Sequence, residues 1–407
     1  MLKPPTDGRV TIPMLLLALL ASVLSIPGCA RTPILRPGTR AVTTTPSVLT
    51  PVSEMPTIMP TTSPTPDPSP TPLSSGFSRA VKMHLENGQE IRLVVDERLF
   101  TLLCAWNLGG YDTIAGDSGR MHSIREDVRE HLQGVDPSLV RMVELKVGAS
   151  LYRSHLTSMT IHIPYAFSLS PPPDFEELQS VPLVTPGFNA VMRRLYTGGD
   201  LDALWKQYED DYEEVLHGYE ALIPTAFEAC NTYLRLEEGA LSKPIVVAPT
   251  LMLARGCGLN RETKDTIFIV LGPTQRPSPM LLQHEYLHQV VGPMIDAQDE
   301  ALSESEALFE WVGAEDDVFS HYGSWSSVVE ESLVRGLSLR LQAQRGYDDA
   351  EEFIETHEPK GFLLMGTFYE GLEEYESQDE MSFEEYLPRL LEGIDVERER
   401  EAWEALE

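Results

Sequence analysis

Hydrophobic and polar positions alternate in the first folded segment and then follow helical spacing. Two alternating runs, Ala80–Leu85 and Glu90–Val95, are joined by Glu86-Asn87-Gly88 and predict a β-hairpin, because Asn-Gly favours a tight turn. Asp96 can cap a following helix, and Gly109-Gly110 would end it. Further helical segments are predicted near 121–134, 137–155 and 200–237. The first half is therefore predicted to be a hairpin followed by helices.

The second half begins with apolar runs and continues with helical periodicity. Pro244–Ala248 and Thr266–Leu271 are rich in Ile and Val and predict strands. From residue 278 the pattern is helical almost to the end, with breaks at Gly and Pro. This order of elements predicts one α+β domain dominated by helix, with a possible boundary between two lobes near residue 240.

Residues 1–29 have the pattern of an export signal. Lys3 and Arg9 precede the apolar run Met14–Ile26, which reaches about 20 Å as a helix and is shorter than the roughly 30 Å bilayer core. The run Ile26-Pro27-Gly28-Cys29 resembles the bacterial lipobox, which implies lipidation of Cys29. An ordinary secretion signal with an incidental cysteine is the alternative. We predict an extracytoplasmic protein anchored to the membrane at the cell surface.

Residues 30–76 are predicted to be a disordered linker rich in Pro, Ser and Thr. Between residues 41 and 75 there are nine prolines and fifteen Ser or Thr residues, and only Glu54 and Asp67 are charged. This composition cannot form a packed core and favours extended polyproline conformations. The linker would hold the domain at 77–407 away from its anchor.

The charge of residues 77–407 limits the partners of the domain. This segment has 26 Lys or Arg residues and 60 Asp or Glu residues, a balance of −34. A protein that binds nucleic acid by neutralising phosphates is excluded, and an anionic membrane surface is an unfavourable partner. The segment contains Cys104, Cys230 and Cys257, which allow at most one disulfide of undetermined pairing.

Residues 278–293 combine a helix signal with a metal-binding pattern. Ser278 can cap the helix, Pro279 suits its first position, and Gly292-Pro293 predicts its end. His284 and His288 are four residues apart and project from the same helix face. With Glu285 they form His-Glu-x-x-His, which on a helix predicts one Zn²⁺ ion bound by both imidazoles.

This pattern predicts zinc-dependent hydrolysis of peptide bonds. Zinc lowers the pKa of a bound water to about 7, and Glu285 can accept a proton from that water as general base. Two alternatives remain. The histidines could be ordinary core or surface residues, or the chain could be a non-catalytic, anchored binding protein with a structural or degenerate metal site.

A third metal ligand is needed, and several later residues could supply it. The position of the metzincin histidine is occupied by Met294, so a carboxylate from a later helix is the alternative. The candidates are Glu304, Glu306, Glu310, Glu330 and Glu331, with His321 as a less favoured choice. On the helix predicted around 325–343, Glu330 falls within the apolar stripe, which slightly favours it as the buried carboxylate. Glu331 and Arg335 lie on an adjoining polar stripe. They could be a metal ligand and the residue that orients it, or a solvated ion pair.

Four stretches of the chain resemble a bacterial family of gluzincin-like metallopeptidases with His-Glu-x-x-His, a domain of unknown function. They are Leu108–Tyr111, Thr266–Gly272 with the motif helix, Trp325–Leu337 and Gly361-Phe362. The resemblance implies a zincin-like catalytic domain with a small β-sheet before the motif helix. It also implies that Glu331 completes the ligand set and that Arg335 orients Glu331. The family pattern has Asn before that Glu, whereas this chain has Glu330, which therefore stays the alternative ligand.

The strand before the motif helix has a further predicted role. In zincins this strand commonly lies along the cleft, where an extended peptide can pair with its edge. Thr266–Leu271 is the candidate for this role. A buried, central position in the sheet is an equal alternative.

Overall fold

The computed structural model describes residues 78–111, 122–148, 155–312, 323–347 and 349–405. The predicted signal peptide, Cys29 and the predicted linker lie outside the described residues. The strands are β1 (Arg79–His84), β2 (Glu90–Val95), β3 (Ile245–Pro249), β4 (Gly258–Glu262) and β5 (Ile267–Leu271).

Helices make up most of the described chain. Those before β3 are α1 (Glu97–Trp106), α2 (Ser123–Leu132), α3 (Pro137–Val143), α4 (His155–Phe167), α5 (Phe188–Gly198), α6 (Leu201–Gln207), α7 (Glu209–Glu220) and α8 (Leu222–Leu234). Those after β5 are α9 (Pro279–Asp296), α10 (Asp299–Ser305), α11 (Ala307–Val312), α12 (Trp325–Ala343), α13 (Ala350–His357), α14 (Met365–Glu376), α15 (Phe383–Glu392) and α16 (Val396–Glu404). The predicted α+β class, dominated by helix, is confirmed.

The five strands form one mixed sheet in the order β1-β2-β3-β5-β4. The predicted hairpin is confirmed, since β1 and β2 pair antiparallel with Met83 opposite Ile91. β2, β3 and β5 run parallel, and β4 pairs antiparallel with β5. Every residue of β3 and β5 is buried. The sheet therefore forms part of the core, as expected for parallel strands that are covered on both faces.

Of the two alternatives for Thr266–Leu271, the buried, central position in the sheet is confirmed and the edge role is wrong. β5 lies between β3 and β4, so both of its edges are already paired. The strand at the end of the sheet is β4, with the sequence Gly-Leu-Asn-Arg-Glu, which pattern analysis missed. This strand has no run of β-branched residues and no clear alternation, because its position depends on pairing with β5 rather than on local preference.

Helix α9 lies next to β4 and packs against α8 and α12. Ser278 caps it by accepting a hydrogen bond from the backbone of Leu281, as predicted. The predicted end at Gly292-Pro293 is wrong, because the helix continues to Asp296. Pro293 removes one backbone hydrogen bond and crowds the preceding turn, but the buried Val291 and Ile295 hold the last turn against the core.

Several other boundaries also differ from the sequence prediction. The helix predicted over 200–237 is divided into α6, α7 and α8, and α5 was not predicted. Helix α4 was missed because it contains Pro164, which weakens the local helix signal. Asp96 caps α1 as predicted. In the described ranges, no helix combines the length and apolar character needed to cross a membrane.

The three cysteines of the folded part are buried and form no disulfide with one another. Cys104 and Cys230 are fully buried, and Cys257 is 2% exposed. Each therefore packs as a small apolar side chain. Burial raises the pKa of the Cys230 thiol above its usual range, so this thiol remains protonated.

Candidate metal centre

His284, His288 and Glu331 meet between α9 and α12. The two Nε2 atoms of the histidines are 3.3 Å apart. Glu331 Oε1 is 3.5 Å from His284 Nε2, and Glu331 Oε2 is 3.3 Å from His288 Nε2. Three potential ligand atoms, one from each residue, lie within 4.8 Å of one another. This buried group could bind a single metal ion.

Glu330 lies on the other side of the His288 ring. Its Oε1 is 2.8 Å from His288 Nδ1, whereas Glu331 approaches Nε2 of the same ring. An ionised carboxylate only accepts, so Nδ1 carries a hydrogen and donates it to Glu330. In the protonated ring Nε2 also carries a hydrogen and donates it to Glu331. When that proton is lost, the Nε2 lone pair points into the space between His284 and Glu331. Glu330 thus orients His288. It is buried, as periodicity suggested, but so is Glu331, and it is Glu331 that groups with both histidines.

Arg335 lies beside Glu331 and is buried. Its Nη2 atom is 2.7 Å from Glu331 Oε1, and both side chains are 1% exposed. The alternative of a solvated ion pair is therefore wrong. The guanidinium also lies over the ring of Phe362, with its central carbon 4.1 Å from the ring centroid. Phe362 of the Gly361-Phe362 stretch therefore contacts this group, because its ring holds the guanidinium that pairs with Glu331.

Burial and charge set the protonation of the group. Burial lowers the pKa of His284 to about 3, so its imidazole is neutral. Burial also lowers the pKa of His288, but the contacts with Glu330 and Glu331 outweigh it and raise the value to about 10. For Glu331, burial raises the pKa, yet Arg335 and the histidines hold it well below its usual range. Glu331 is therefore ionised, and a metal ion would compete with a proton for His288 Nε2.

The chemistry of the donor set fits a divalent cation. Three carboxylates of this group are at most 4% exposed, those of Glu285, Glu330 and Glu331. Arg335, which carries the guanidinium of the group, is 1% exposed. Buried charges need compensation, and a divalent cation that displaced the proton of His288 would offset the carboxylates that the one guanidinium of this described group does not balance. Two imidazole nitrogens and one carboxylate are compatible with zinc.

Part of the chain, including this group, matches a known family. Residues 267–393 match the family model described as a domain of unknown function, DUF4932. The chain contains a DUF4932 domain. A search of curated proteins and a search of solved structures returned no match. The presence of a domain of unknown function is confirmed, whereas the gluzincin-like activity stays a prediction. The DUF4932 match includes β5, α9, α12 and Phe362 and leaves out the Leu108–Tyr111 stretch.

Glu285 is held by residues that lie outside the DUF4932 match or were missed by sequence analysis. Its side chain is fully buried, and its Oε2 accepts a 2.7 Å hydrogen bond from Asn260 Nδ2. Asn260 Oδ1 accepts a 2.7 Å hydrogen bond from Gln289 Nε2. A Cβ added to Gly258 would lie 2.0 Å from Glu285 Oε1, so only glycine fits there without movement. Gln289 was the signal that sequence reasoning could have used, because it is a polar residue that directly precedes the apolar Val290-Val291.

We expect Gly258→Ala to destabilise the fold because the new methyl group would overlap the buried Glu285 side chain. The expected loss is about 1–3 kcal/mol in the free energy of unfolding, measured by urea denaturation. Gly134→Ala is the matched control, since its nearest neighbour would be a carbonyl oxygen at 3.6 Å. The control should be neutral or slightly stabilising. Equal stability of the two variants would contradict the proposed fit.

The other third-ligand candidates lie outside this group. Glu304, Glu306 and Glu310 are exposed side chains on or beside α10 and α11. His321 lies outside the described residues. Glu331 is therefore the candidate carboxylate that the DUF4932 domain brings beside both histidines.

Proposed function

We propose that this protein is an exported, lipid-anchored zinc peptidase with a gluzincin-like catalytic domain. The observation that carries the proposal is the convergence of His284, His288 and Glu331, with Glu285 between the two histidines in sequence. A metal site made of two histidines and a carboxylate leaves one coordination position open, which is typical of catalytic zinc sites. Export and lipidation at Cys29 rest on the pattern of residues 1–29.

Each residue of the group has a distinct proposed role. His284, His288 and Glu331 would hold one Zn²⁺ per chain, and Arg335 would orient the Glu331 carboxylate. When bound, zinc supplies Lewis-acid chemistry that polarises a carbonyl and acidifies water. Glu285 would accept a proton from the attacking water as the new C–O bond forms. It would then pass the proton to the amide nitrogen as the C–N bond breaks.

The substrate class that fits this arrangement is a polypeptide in extended form. β4 ends the described sheet, and its Asn260 touches Glu285. An extended chain that paired with the outer edge of β4 would therefore run close to the proposed general base. The predicted export signal would place this chemistry outside the cytoplasm, and the predicted linker would hold it at a distance from the membrane. The −34 balance of residues 77–407 argues against a nucleic-acid substrate.

Burial of the group favours a second candidate function. His284 and His288 are 2% exposed and Glu285 is 0% exposed, as expected for a metal that stabilises the fold. In this reading the protein is an anchored, non-catalytic binding or interaction protein with a structural metal site. Glu285 distinguishes the two readings, because a structural site has no need for a general base.

The test is cleavage of unstructured polypeptides by the purified full-length protein. We expect the zinc-loaded protein to generate new amino termini, detected by mass spectrometry. A chelator should abolish the cleavage, and added zinc should restore it, because the metal is required for the chemistry. Complete inertness of a sample carrying about one equivalent of zinc would contradict the peptidase proposal and support the structural site.

A further inference from the structure

The carboxylate of Glu285 accepts a hydrogen bond from the neighbouring strand. Asn260 on β4 is 5% exposed, and its Nδ2 donates to Glu285 Oε2 at 2.7 Å. A buried carboxylate without hydrogen bonds is costly, and a bond from an amide to a charged oxygen is among the stronger ones in proteins. This contact therefore constrains where the Glu285 side chain can lie.

The orientation of the Asn260 amide is determined by its two partners. An ionised Glu285 only accepts, so Asn260 must turn its NH₂ group toward it and its Oδ1 away. Oδ1 in turn accepts from Gln289 Nε2 at 2.7 Å. Glu285 and Gln289 are four residues apart on α9, so they share one helix face, and Asn260 bridges them. The hydrogen bonds therefore run in one direction, from Gln289 through Asn260 to Glu285.

Gly258 completes the surface of β4 that faces Glu285. Residues 258 and 260 are two apart, so they lie on the same face of the strand. At Gly258 the absent side chain leaves space for Oε1, and at Asn260 the amide binds Oε2. One strand thus makes room for one oxygen of the carboxylate and binds the other.

We infer that Asn260 is a positioning residue for Glu285 and that Gln289 fixes the orientation of Asn260. The inference rests on the proposed peptidase function, in which Glu285 moves a proton. Proton transfer requires the carboxylate to lie within hydrogen-bond reach of its partner, and a displacement of about 1 Å can reduce the rate about 100-fold. Asn260 itself does not exchange a proton in this scheme.

The experiment compares Asn260→Asp alone with Asn260→Asp combined with Glu285→Gln. The single change places two carboxylates against each other, so we expect the melting temperature to fall by about 5 °C or more. We expect kcat to fall about 100-fold, with KM within about threefold of the wild-type value. Zinc content should stay near one equivalent, since the three proposed ligands are unchanged.

The double variant rebuilds the hydrogen bond with its direction reversed. The introduced amide at 285 can donate to the introduced carboxylate at 260, which still accepts from Gln289. The melting temperature should therefore return close to the wild-type value, whereas activity should not return because the general base is missing. If Asn260 stabilised the fold only in a general way, exchanging the amide and the carboxylate between positions 260 and 285 would not restore the melting temperature.

Asn231→Asp is the matched control. Asn231 Oδ1 accepts a hydrogen bond from Tyr286, also on the motif helix, at 2.6 Å. A carboxylate can accept this bond equally well, so stability and kcat should stay near their wild-type values. Wild-type kcat in Asn260→Asp, or a double variant as unstable as the single one, would overturn the inference. If the wild-type protein cleaves no peptide, the proposed function fails, and the melting temperatures still decide whether Asn260 fixes Glu285.

Discussion

Glu285→Gln is expected to abolish peptide hydrolysis while the protein keeps about one equivalent of zinc. The introduced amide has almost the same shape as the carboxylate and can still accept the hydrogen bond from Asn260, but it cannot accept and transfer a proton. Loss of a general base typically lowers kcat by about 100- to 10,000-fold. The measurements are cleavage rate on the best polypeptide of the panel and zinc content by elemental analysis.

The control for this variant is Glu304→Gln, which makes the same chemical change at an exposed position on α10. It should match the wild-type protein in both rate and zinc content. Hydrolysis retained in Glu285→Gln would show that another group serves as the base. Loss of zinc in the same variant would show that Glu285 contributes to the metal site rather than to proton transfer.

Glu331→Gln is expected to lose most of the bound zinc and to destabilise the protein. The change removes a charged ligand and leaves the buried Arg335 without its ion-pair partner. Removing one partner of a buried pair typically costs about 3–5 kcal/mol. His288→Ala should also lose zinc, since it removes one imidazole ligand. Zinc content and urea denaturation of the purified variants measure both effects.

Glu330→Gln is the matched control, because the same change is made one residue away on α12. The introduced amide can still accept the hydrogen bond from His288 Nδ1, so zinc stoichiometry should be kept. Zinc affinity should fall only about 10-fold, as is typical when a residue that orients a ligand is changed. Normal zinc in Glu331→Gln together with loss of zinc in Glu330→Gln would reverse the ligand assignment.

The sequence alone predicts the features that depend on neighbouring residues. Hydrophobic spacing and capping by Ser278 place His284 and His288 on one face of a helix, and both are confirmed by α9. The β1–β2 hairpin is confirmed for the same reason, because Asn87-Gly88 and the alternating strands act over a few residues. The helix-dominated class also follows from local periodicity along the chain.

Only the tertiary structure decides which side chains reach the site from other elements. Glu330 and Glu331 are both buried on α12, and the rotation of that helix against α9 decides which of them faces both histidines. The residues of β4 and Phe362 are brought to the group by strand pairing and helix packing, which have no local signal. Periodicity describes one helix or strand at a time, whereas ligand geometry depends on the distance and angle between elements that are far apart in the chain.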